Sequence, residues 1–175
     1  MEIIVTGFSV LIVVAIFVWV IFILIGEISA VTYVPTEQKE IKQVLEKFKF
    51  KQGKTLIDLG SGDGRIVRTA VEEFRVKGIG YEIHPLLVWY AKFRSKNNPN
   101  IEFKHQSLWQ ADLAKADYIF CYLSPWAMNK LTPKIQKECK PGVIIISKAF
   151  EAKLMKKSLK EIFEINNRRY FNYQN

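Results

Sequence analysis

Glycine and acidic residues are concentrated in one short stretch of the sequence, DLGSGDGR at residues 58–65. Its glycines would let the backbone turn tightly and let a ligand approach it closely; they are Gly60, Gly62 and Gly64. A phosphate site favours bare amides and positive charge. Asp58 and Asp63 instead place two carboxylates beside this loop. The stretch therefore predicts a ligand with a cationic end rather than a pyrophosphate.

Two familiar nucleotide-binding motifs do not fit this stretch. The dinucleotide pattern G-x-G-x-x-G/A accommodates Gly60 and Gly62, but Arg65 occupies its third glycine position. A P-loop requires Gly-Lys-Ser/Thr after its glycines, and no such sequence follows here. With a dinucleotide and a P-loop nucleotide both disfavoured, the ligand that best fits the loop is a nucleoside that carries an amino acid. S-adenosylmethionine has this form, with an adenosine, a sulfonium and an amino-acid tail.

A second acid supports a ligand that contains adenosine. Glu82 ends the second apolar segment of this region, 22 positions after Gly60. In dinucleotide-binding folds, an acid about 20 residues beyond the loop accepts hydrogen bonds from the ribose hydroxyls. The alternative is a glycine turn with an incidental acid. The order of strands and helices around the two features favours the cofactor interpretation.

Apolar segments with strand character alternate with helical patterns from residue 55 onward. The predicted strands are residues 55–59, 77–82, 101–105, 118–123 and 143–147. The predicted helices are residues 65–74, residues 85–95 and a stretch after residue 123 that restarts at Thr132-Pro133. Strands that are almost continuously apolar indicate a parallel sheet covered on both faces. The sequence therefore predicts a Rossmann-like, doubly wound α/β domain with a mostly parallel sheet.

Two further elements flank this alternating pattern. Before it, Pro35 stops any preceding helix, and Thr36 is predicted to cap a new one. The apolar face of that helix is formed by Ile41, Val44, Leu45 and Phe48. After it, the tail EIFEINNRRYFNYQ at residues 161–174 contains the turn signal Asn166-Asn167. The tail therefore predicts an antiparallel hairpin at one edge of the sheet.

The N-terminal region is strongly apolar. Residues 3–25 carry no charge and would form a helix about 35 Å long, which matches the hydrocarbon core of a bilayer. A cleaved signal peptide with a weak site at residues 28–30 is the alternative, but no Lys or Arg precedes the apolar run. The sequence predicts a transmembrane anchor at residues 1–29, a connecting segment and helix at 30–52, and the α/β domain at 53–175.

The chain is basic, with a formal net charge of +9. Lysines follow the predicted anchor, so the positive-inside rule predicts the N-terminus outside and the domain in the cytoplasm; they are Lys39, Lys42, Lys47, Lys49, Lys51 and Lys54. An anionic lipid surface is the expected partner of such a domain. Nucleic acid is disfavoured because the basic residues are spread along the chain. The densest group has the spacing of a solvated helix face; it comprises Lys153, Lys156, Lys157 and Lys160.

Several motifs together resemble a known family. DLGSGDGR with GYEIHP at residues 80–85 resembles the class I S-adenosylmethionine-dependent methyltransferases, over residues 53–150. The apolar N-terminus, YVPT at residues 33–36 and YLSP at residues 122–125 resemble a narrower group. That group is the small membrane-associated protein-lysine methyltransferases, which include the ATP synthase c-subunit and adenine nucleotide translocase enzymes and their prokaryotic relatives.

The resemblance implies a set of cofactor-binding residues. The loop would hold the methionine end of S-adenosylmethionine through Asp58, Gly60, Ser61, Gly62, Asp63 and Gly64. Glu82 would hold the ribose, and Ile83 would pack on the adenine ring. In the family, an aspartate after the third strand accepts a hydrogen bond from the adenine amino group. Ser107 stands at that position here, and a hydroxyl accepts less strongly than a carboxylate.

The segment CYLSPWAMNK at residues 121–130 is predicted to select the substrate, because it follows the fourth strand at the ligand edge of the sheet. Tyr122 and Ser124 would orient an amine through hydrogen bonds. Trp126 would form a wall beside an alkyl-ammonium group or make a cation–π contact; the alternative is that it only anchors the first turn of a helix. The segment lacks the Asn-Pro-Pro-Tyr type motif, which argues against DNA adenine methylation.

The sequence thus predicts a membrane-anchored methyltransferase that methylates a lysine of a membrane-associated protein. Methyl transfer mainly requires alignment of donor and acceptor, so no nucleophilic triad is expected. Neither the histidines nor Cys121 and Cys139 have metal-ligand spacing, and no metal is expected. The alternatives are methylation of a lipid head group or small amine, and a nonenzymatic basic module tethered to the membrane. A nucleotide-dependent oxidoreductase is a further alternative, which Arg65 disfavours.

Overall fold

The computed structural model describes residues 9–21 and 36–175 of the 175-residue chain. The chain divides into two compact units, Met1–Tyr33 and Val34–Asn175. In the first unit, residues 9–21 form helix α1, whose side chains are exposed. Among the described residues, no helix is both long and apolar enough to cross a bilayer. The predicted span at residues 3–25 extends outside the described residues at both ends.

The second unit is a seven-stranded sheet with helices packed against it. Its elements are α2 (Gln38–Lys47), β1 (Thr55–Leu59), α3 (Arg65–Phe74), β2 (Lys77–Glu82), α4 (Pro85–Ser95), β3 (Ile101–His105), β4 (Tyr118–Cys121), α5 (Pro125–Glu138), β5 (Ile144–Lys148), β6 (Leu159–Ile165) and β7 (Arg168–Gln174). Short 3₁₀ helices occupy Leu108–Gln110 and Lys153–Ser158. The strand order is β3-β2-β1-β4-β5-β7-β6.

The sheet topology confirms the predicted doubly wound fold. Strands β1 to β5 pair in parallel, and β7 runs antiparallel to both β5 and β6. The β6–β7 hairpin turns at Asn166-Asn167, both of which have positive φ. It lies at one edge of the sheet, as the tail sequence predicts.

Both faces of the sheet are covered, which explains why its strands are almost continuously apolar. Successive strand residues point to opposite faces. Phe120 of β4 packs in the apolar cluster that includes α2 and α3 side chains. Its neighbour Cys121 instead meets helix α5, with its Sγ 3.5 Å from the Met128 Sδ. Helices α2 and α3 therefore lie on one face and α5 on the other.

Three predicted boundaries along the second half of the sheet differ from the structure. Strand β4 ends at Cys121 rather than residue 123, and β5 is displaced by one residue, to Ile144–Lys148. Helix α5 is continuous through Pro133 rather than restarting at Thr132-Pro133. Thr132 is fully buried, and its hydroxyl donates to the Met128 carbonyl at 2.9 Å. The buried face of α5 thus offsets the backbone hydrogen bond that Pro133 removes.

The predicted capping role of Thr36 is wrong. Glu37 is the N-cap of α2, and no side chain caps the helix. Thr36 is buried instead, and its hydroxyl accepts a hydrogen bond from the Lys148 Nζ at 2.9 Å. The same ammonium lies 2.9 Å from the Glu40 Oε1, which also accepts from the Tyr170 hydroxyl. A buried polar network therefore outweighs local capping at the start of α2, while the predicted apolar face of the helix is buried as expected.

Candidate cofactor and substrate site

The glycine loop lies between β1 and α3, at the carboxyl edge of the parallel strands. The Gly60 and Ser61 amides both donate to the Tyr81 carbonyl, at 2.9 and 3.0 Å, which fixes the loop to the end of β2. Gly64 has φ 78° and is the N-cap of α3. A Cβ at Gly64 would lie 2.2 Å from the Phe103 Cζ. Only glycine therefore fits where the loop passes β3.

Asp58 is the main unsatisfied group at this edge. It is 2% exposed, and among the described residues its Oδ2 has no hydrogen-bond partner. Burial raises the pKa of this carboxyl well above its usual value, and the charges of Glu82 and Asp63 raise it further. The Ser61 Oγ is also buried and lacks a partner within the described chain. A buried carboxylate oxygen without a donor is costly, so this position suits a ligand that donates hydrogen bonds or carries positive charge.

Glu82 ends β2 and is held rigidly by backbone amides. Its Oε2 accepts from the Gly62 amide at 2.9 Å. Its Oε1 accepts from the amides of Ile83 and His84, both at 2.8 Å. An ionised carboxylate has about four acceptor positions, so the three bonds leave capacity for a ligand hydroxyl. The side chain of Ile83 is 42% exposed beside it.

Asp63 is part of an ion pair within the loop. Its Oδ2 lies 2.9 Å from the Arg65 Nη2, and its Oδ1 accepts from the Arg65 Nε at 3.0 Å. Burial would raise the pKa of Asp63, but the hydrogen bonds and charge of Arg65 outweigh it and hold the pKa below its usual value. Arg65 also donates to the Thr36 carbonyl at 2.9 Å. In the sequence, Arg65 is only a mismatch to the dinucleotide motif, and no sequence signal indicates this ion pair.

Ser107 follows β3, and its hydroxyl already has one partner. The Ser107 Oγ accepts from the Trp109 amide at 3.4 Å and caps the 3₁₀ helix Leu108–Gln110. A hydroxyl has two acceptor lone pairs, so the oxygen retains capacity for another donor. Its contact with an adenine amino group stays a prediction.

The three predicted substrate-positioning residues follow β4 but have different surroundings. The Ser124 Oγ accepts from the Ala127 amide at 3.3 Å and caps α5. The Tyr122 ring stacks on the Phe150 ring, with the two ring centroids 6.5 Å apart. The Lys148 Nζ lies 4.9 Å from the centroid of the Tyr122 ring. Trp126 is exposed. Their contact with a substrate stays a prediction.

A pair of indole rings forms a cation-binding position near this segment. Trp109 and Trp126 meet edge to face, with ring centroids 6.0 Å apart. The Lys130 Nζ lies 4.7 Å from the Trp109 centroid and 4.9 Å from the Trp126 centroid. Aromatic faces at this range attract ammonium groups. The sequence pattern indicates Trp126 but not Trp109 or Lys130, because no regular spacing connects the two indoles.

Comparison with known proteins identifies the family. Residues 58–158 match the family described as the ANTKMT methyltransferase domain. The chain belongs to this methyltransferase family. It is 34% identical to a protein-lysine N-methyltransferase of Saccharolobus islandicus, over 69% of this chain and 78% of that protein. It is 31% identical to the ATP synthase c-subunit lysine N-methyltransferase of Mus musculus, over 67% of this chain. The alignment spans only 48% of that mouse protein.

Solved structures confirm the fold of this methyltransferase domain. The RNA methyltransferase from Salinibacter ruber, solved in complex with S-adenosyl-L-homocysteine, superposes with a TM-score of 0.76 at 29% identity. The superposition covers 81% of this chain and 93% of that one. The predicted Rossmann-like fold and the resemblance to class I methyltransferases are therefore confirmed.

The cysteines of this methyltransferase domain are not reactive thiols. Both are buried. Burial raises the pKa of Cys121 to about 12 and that of Cys139 to about 11. A thiol with such a pKa is almost entirely protonated at neutral pH. Within residues 9–21 and 36–175, no group of three or more His, Cys, Asp or Glu side chains is arranged to hold a metal ion.

Proposed function

We propose that this protein transfers a methyl group from S-adenosylmethionine to a lysine of a membrane-associated protein. The observation that carries the proposal is the buried Asp58 oxygen without a donor, beside the fixed Glu82 carboxylate. This arrangement favours a ligand with an ammonium group and ribose hydroxyls. The relatives named protein-lysine and ATP synthase c-subunit lysine N-methyltransferases support lysine as the acceptor.

The residues at the ligand edge fit S-adenosylmethionine. Asp58 would accept from the ammonium group of its methionine end, and Glu82 would accept from a ribose hydroxyl. Ile83 would cover the adenine ring, and Ser107 would accept from the adenine amino group. When bound, the cofactor supplies a methyl group activated by the sulfonium. The bare loop amides let it approach the backbone, because no side chain at the glycines stands in the way.

The indole pair would guide the substrate lysine. Trp109 and Trp126 already hold one ammonium group, that of Lys130, at cation–π distance. A substrate lysine must lose its proton before it can attack the methyl group. Cation–π contact with the indoles would bind the protonated lysine, and a low-dielectric pocket at the membrane would then lower its pKa and favour the neutral amine. Tyr122 and Ser124 would then orient the amine by hydrogen bonds.

The proposal includes a membrane location for the enzyme. The uncharged residues 3–25 support a single-pass anchor. The lysines that follow support an N-terminus outside and a cytoplasmic domain. The net charge of +9 supports contact with an anionic leaflet. Such an anchor would confine the enzyme to two dimensions, close to lysines that project from membrane proteins.

A labelled-methyl assay in membranes from the protein's own source tests this proposal. The full chain is incubated with labelled S-adenosylmethionine, and protein, lipid and nucleic acid are then separated and counted. Asp58→Ala removes the proposed ammonium acceptor. Asp112→Ala is the matched control, because Asp112 is an exposed acid paired with Lys115. We expect label in a discrete protein band with the wild type and the control, and none with Asp58→Ala.

RNA methylation is the second candidate function. It is favoured by the likeness to the solved RNA methyltransferase at 29% identity. Label that ribonuclease releases from the nucleic-acid fraction would support it and contradict the lysine proposal. Label in lipid would support a head-group methyltransferase. Label in no fraction would support a nonenzymatic binding module.

A further inference from the structure

Helix α4 has an inverted distribution of side chains. Val88, Ala91 and Ser95 are buried against the sheet. Its largest side chains face outward, with exposed fractions of 37–66%; they are Leu86, Trp89, Tyr90 and Phe93. A surface helix normally buries its large apolar residues and exposes its polar ones. The outward face of α4 is therefore an apolar surface that the fold itself does not require.

Steric limits explain the inward face of α4 but not the outward one. Ala91 is fully buried in a small apolar cluster with Val67 and Phe103. A Cβ at Gly64 would lie 3.1 Å from the Ala91 Cβ, so the helix packs very closely on the glycine loop. Only small side chains fit there. No comparable constraint places Trp89 or Phe93 on the outside, where exposed aromatic rings lower solubility.

The C-terminal end of α4 carries basic residues beside this face. The sequence Pro85–Ser95 contains no acidic residue, and Lys92 and Arg94 lie in its last turn. The Lys96 Nζ lies 5.2 Å from the Phe93 ring centroid. The Arg94 guanidinium lies 5.8 Å from the Tyr90 ring centroid. Cations thus stand directly beside exposed aromatic rings.

We propose that this face of α4 docks onto an anionic phospholipid surface. An interfacial helix places aromatic and leucine side chains at the boundary between headgroups and acyl chains, while Lys and Arg remain among the phosphates. The α4 face has both components. A second copy of the chain is disfavoured as the occupant, because two such faces would bring their cations together with no acid of α4 to offset them.

If the proposed function is correct, docking of α4 would also place the candidate site next to the membrane. Helix α4 begins at Pro85, three residues after Glu82. A bilayer against α4 would therefore lie beside the cofactor-binding edge of the sheet. A lysine just outside the headgroups of a membrane protein would then be within reach of the site.

Fluorescence quenching in vesicles tests the docking proposal without any methyl transfer. An environment-sensitive dye is attached through Asn97→Cys to the full chain, since Asn97 is exposed just beyond α4 and both native cysteines are buried. The chain is reconstituted into vesicles with brominated acyl chains, either neutral or containing anionic lipid. A dye attached through Gln136→Cys on α5, on the opposite face of the sheet, is the control position.

We expect quenching at position 97 in anionic vesicles, much less in neutral ones, and none at position 136. The triple variant Leu86→Ser/Trp89→Ser/Phe93→Ser should abolish this quenching. The control is the double variant Leu154→Ser/Ile162→Ser, which removes equally exposed apolar residues elsewhere and should leave the quenching unchanged. Lys92→Gln should weaken docking about fivefold, the contribution of one cation at an anionic surface. Equal quenching with and without the α4 substitutions would overturn the proposal. The absence of quenching at position 97 in anionic vesicles would also overturn it. Docking without methyl transfer would separate this inference from the proposed function.

Discussion

Two neighbouring carboxyls of the glycine loop have opposite electrostatic surroundings. Burial and the charges of Glu82 and Asp63 raise the pKa of Asp58, whereas the hydrogen bonds and charge of Arg65 hold the pKa of Asp63 below its usual value. Asp63 is therefore already neutralised within the protein. Within the described residues, the charges that act on Asp58 are those of Glu82 and Asp63, which disfavour its ionised form, so a cationic ligand would favour that form.

We expect the ligand-free protein to become more stable as the pH falls from neutral toward the pKa of an aspartate in the unfolded chain, about 3.9, by at most about 1.4 kcal/mol per pH unit for a single proton. The folded-state pKa of Asp58 is above its unfolded value. The contribution of Asp58 to the free energy of unfolding is therefore fully present below its pKa in the unfolded chain. It is lost as the pH rises through its pKa in the folded protein. Urea unfolding across this range, compared with Asp58→Asn, measures the effect.

The carboxyls with lowered pKa do not obscure this test. Asp63 and Asp117 contribute stability above their usual pKa and lose it only as the pH falls through their lowered values. That loss lies below the pH range of the experiment. An Asp58→Asn variant with the same pH dependence as the wild type would show that Asp58 is not the group responsible.

Glu82→Gln should weaken S-adenosylmethionine binding about 10- to 100-fold. Both oxygens of Glu82 accept backbone hydrogen bonds. An amide nitrogen in place of either oxygen would face an N–H donor, and the ribose would lose a charged acceptor worth about 1.5–3 kcal/mol. Titration calorimetry measures the change, with the exposed Glu102→Gln as control. An unchanged affinity would contradict the assignment of Glu82 to the ribose.

At the scale of the elements, the turn from β1 into α3 depends on close packing at Gly64. Gly64→Ala should destabilise the fold more than Gly53→Ala. Both positions have similar positive φ, at 78° and 76°, so both substitutions incur the left-handed strain of about 1–2 kcal/mol. Only Gly64 adds a clash with Phe103, since no atom lies within 4 Å of a Cβ at Gly53. Overpacking adds about 1–3 kcal/mol.

Thermal and urea unfolding of the two variants measure the difference. The comparison isolates the packing contribution, because the backbone conformation is nearly the same at both positions. Equal destabilisation would mean that the Phe103 ring moves aside at little cost. Packing against Phe103 would then not explain why a glycine occupies the N-cap of α3.

The elements that position the site are predictable because each is specified locally. The strand β1, the glycine loop and helix α3 follow from adjacent residues, and the hairpin follows from Asn166-Asn167. The errors depend on residues far apart in the chain. Local sequence predicts that Thr36 caps α2, but its partner Lys148 lies 112 positions away. Likewise, Trp109 and Trp126 come into contact only in the folded domain, and no regular spacing in the sequence relates them.

At the scale of the molecule, one buried network joins α2, β5 and β7 to the glycine loop. Lys148 and Glu40 are almost completely buried, and Tyr170 donates to the same Glu40 oxygen. Thr36 binds Lys148 through its hydroxyl and Arg65 through its carbonyl. Arg65 in turn holds Asp63 of the loop. A helix that precedes the sheet is thereby connected to the ligand-binding edge.

Breaking this network should be far more costly than breaking a surface ion pair on the same helix. Lys148→Met leaves the Glu40 carboxylate buried without its counter-ion, which costs about 3–5 kcal/mol. Lys42→Met, which removes the exposed pair with Glu73 on α2 and α3, should cost about 0–1 kcal/mol. Urea unfolding of both variants measures the contrast. Glu40→Gln/Lys148→Met should cost less than the sum of its single variants, because neither charge is then left alone.

The network also predicts an effect on the ligand site. If Thr36 positions Arg65, a loosened Lys148–Thr36 contact should free the Asp63–Arg65 pair and let the glycine loop move. Lys148→Met should therefore weaken S-adenosylmethionine binding under conditions where the variant is still folded, whereas Lys42→Met should not. Calorimetry on both proteins distinguishes the cases. Full affinity in a destabilised Lys148→Met variant would mean that the network stabilises the fold without organising the loop.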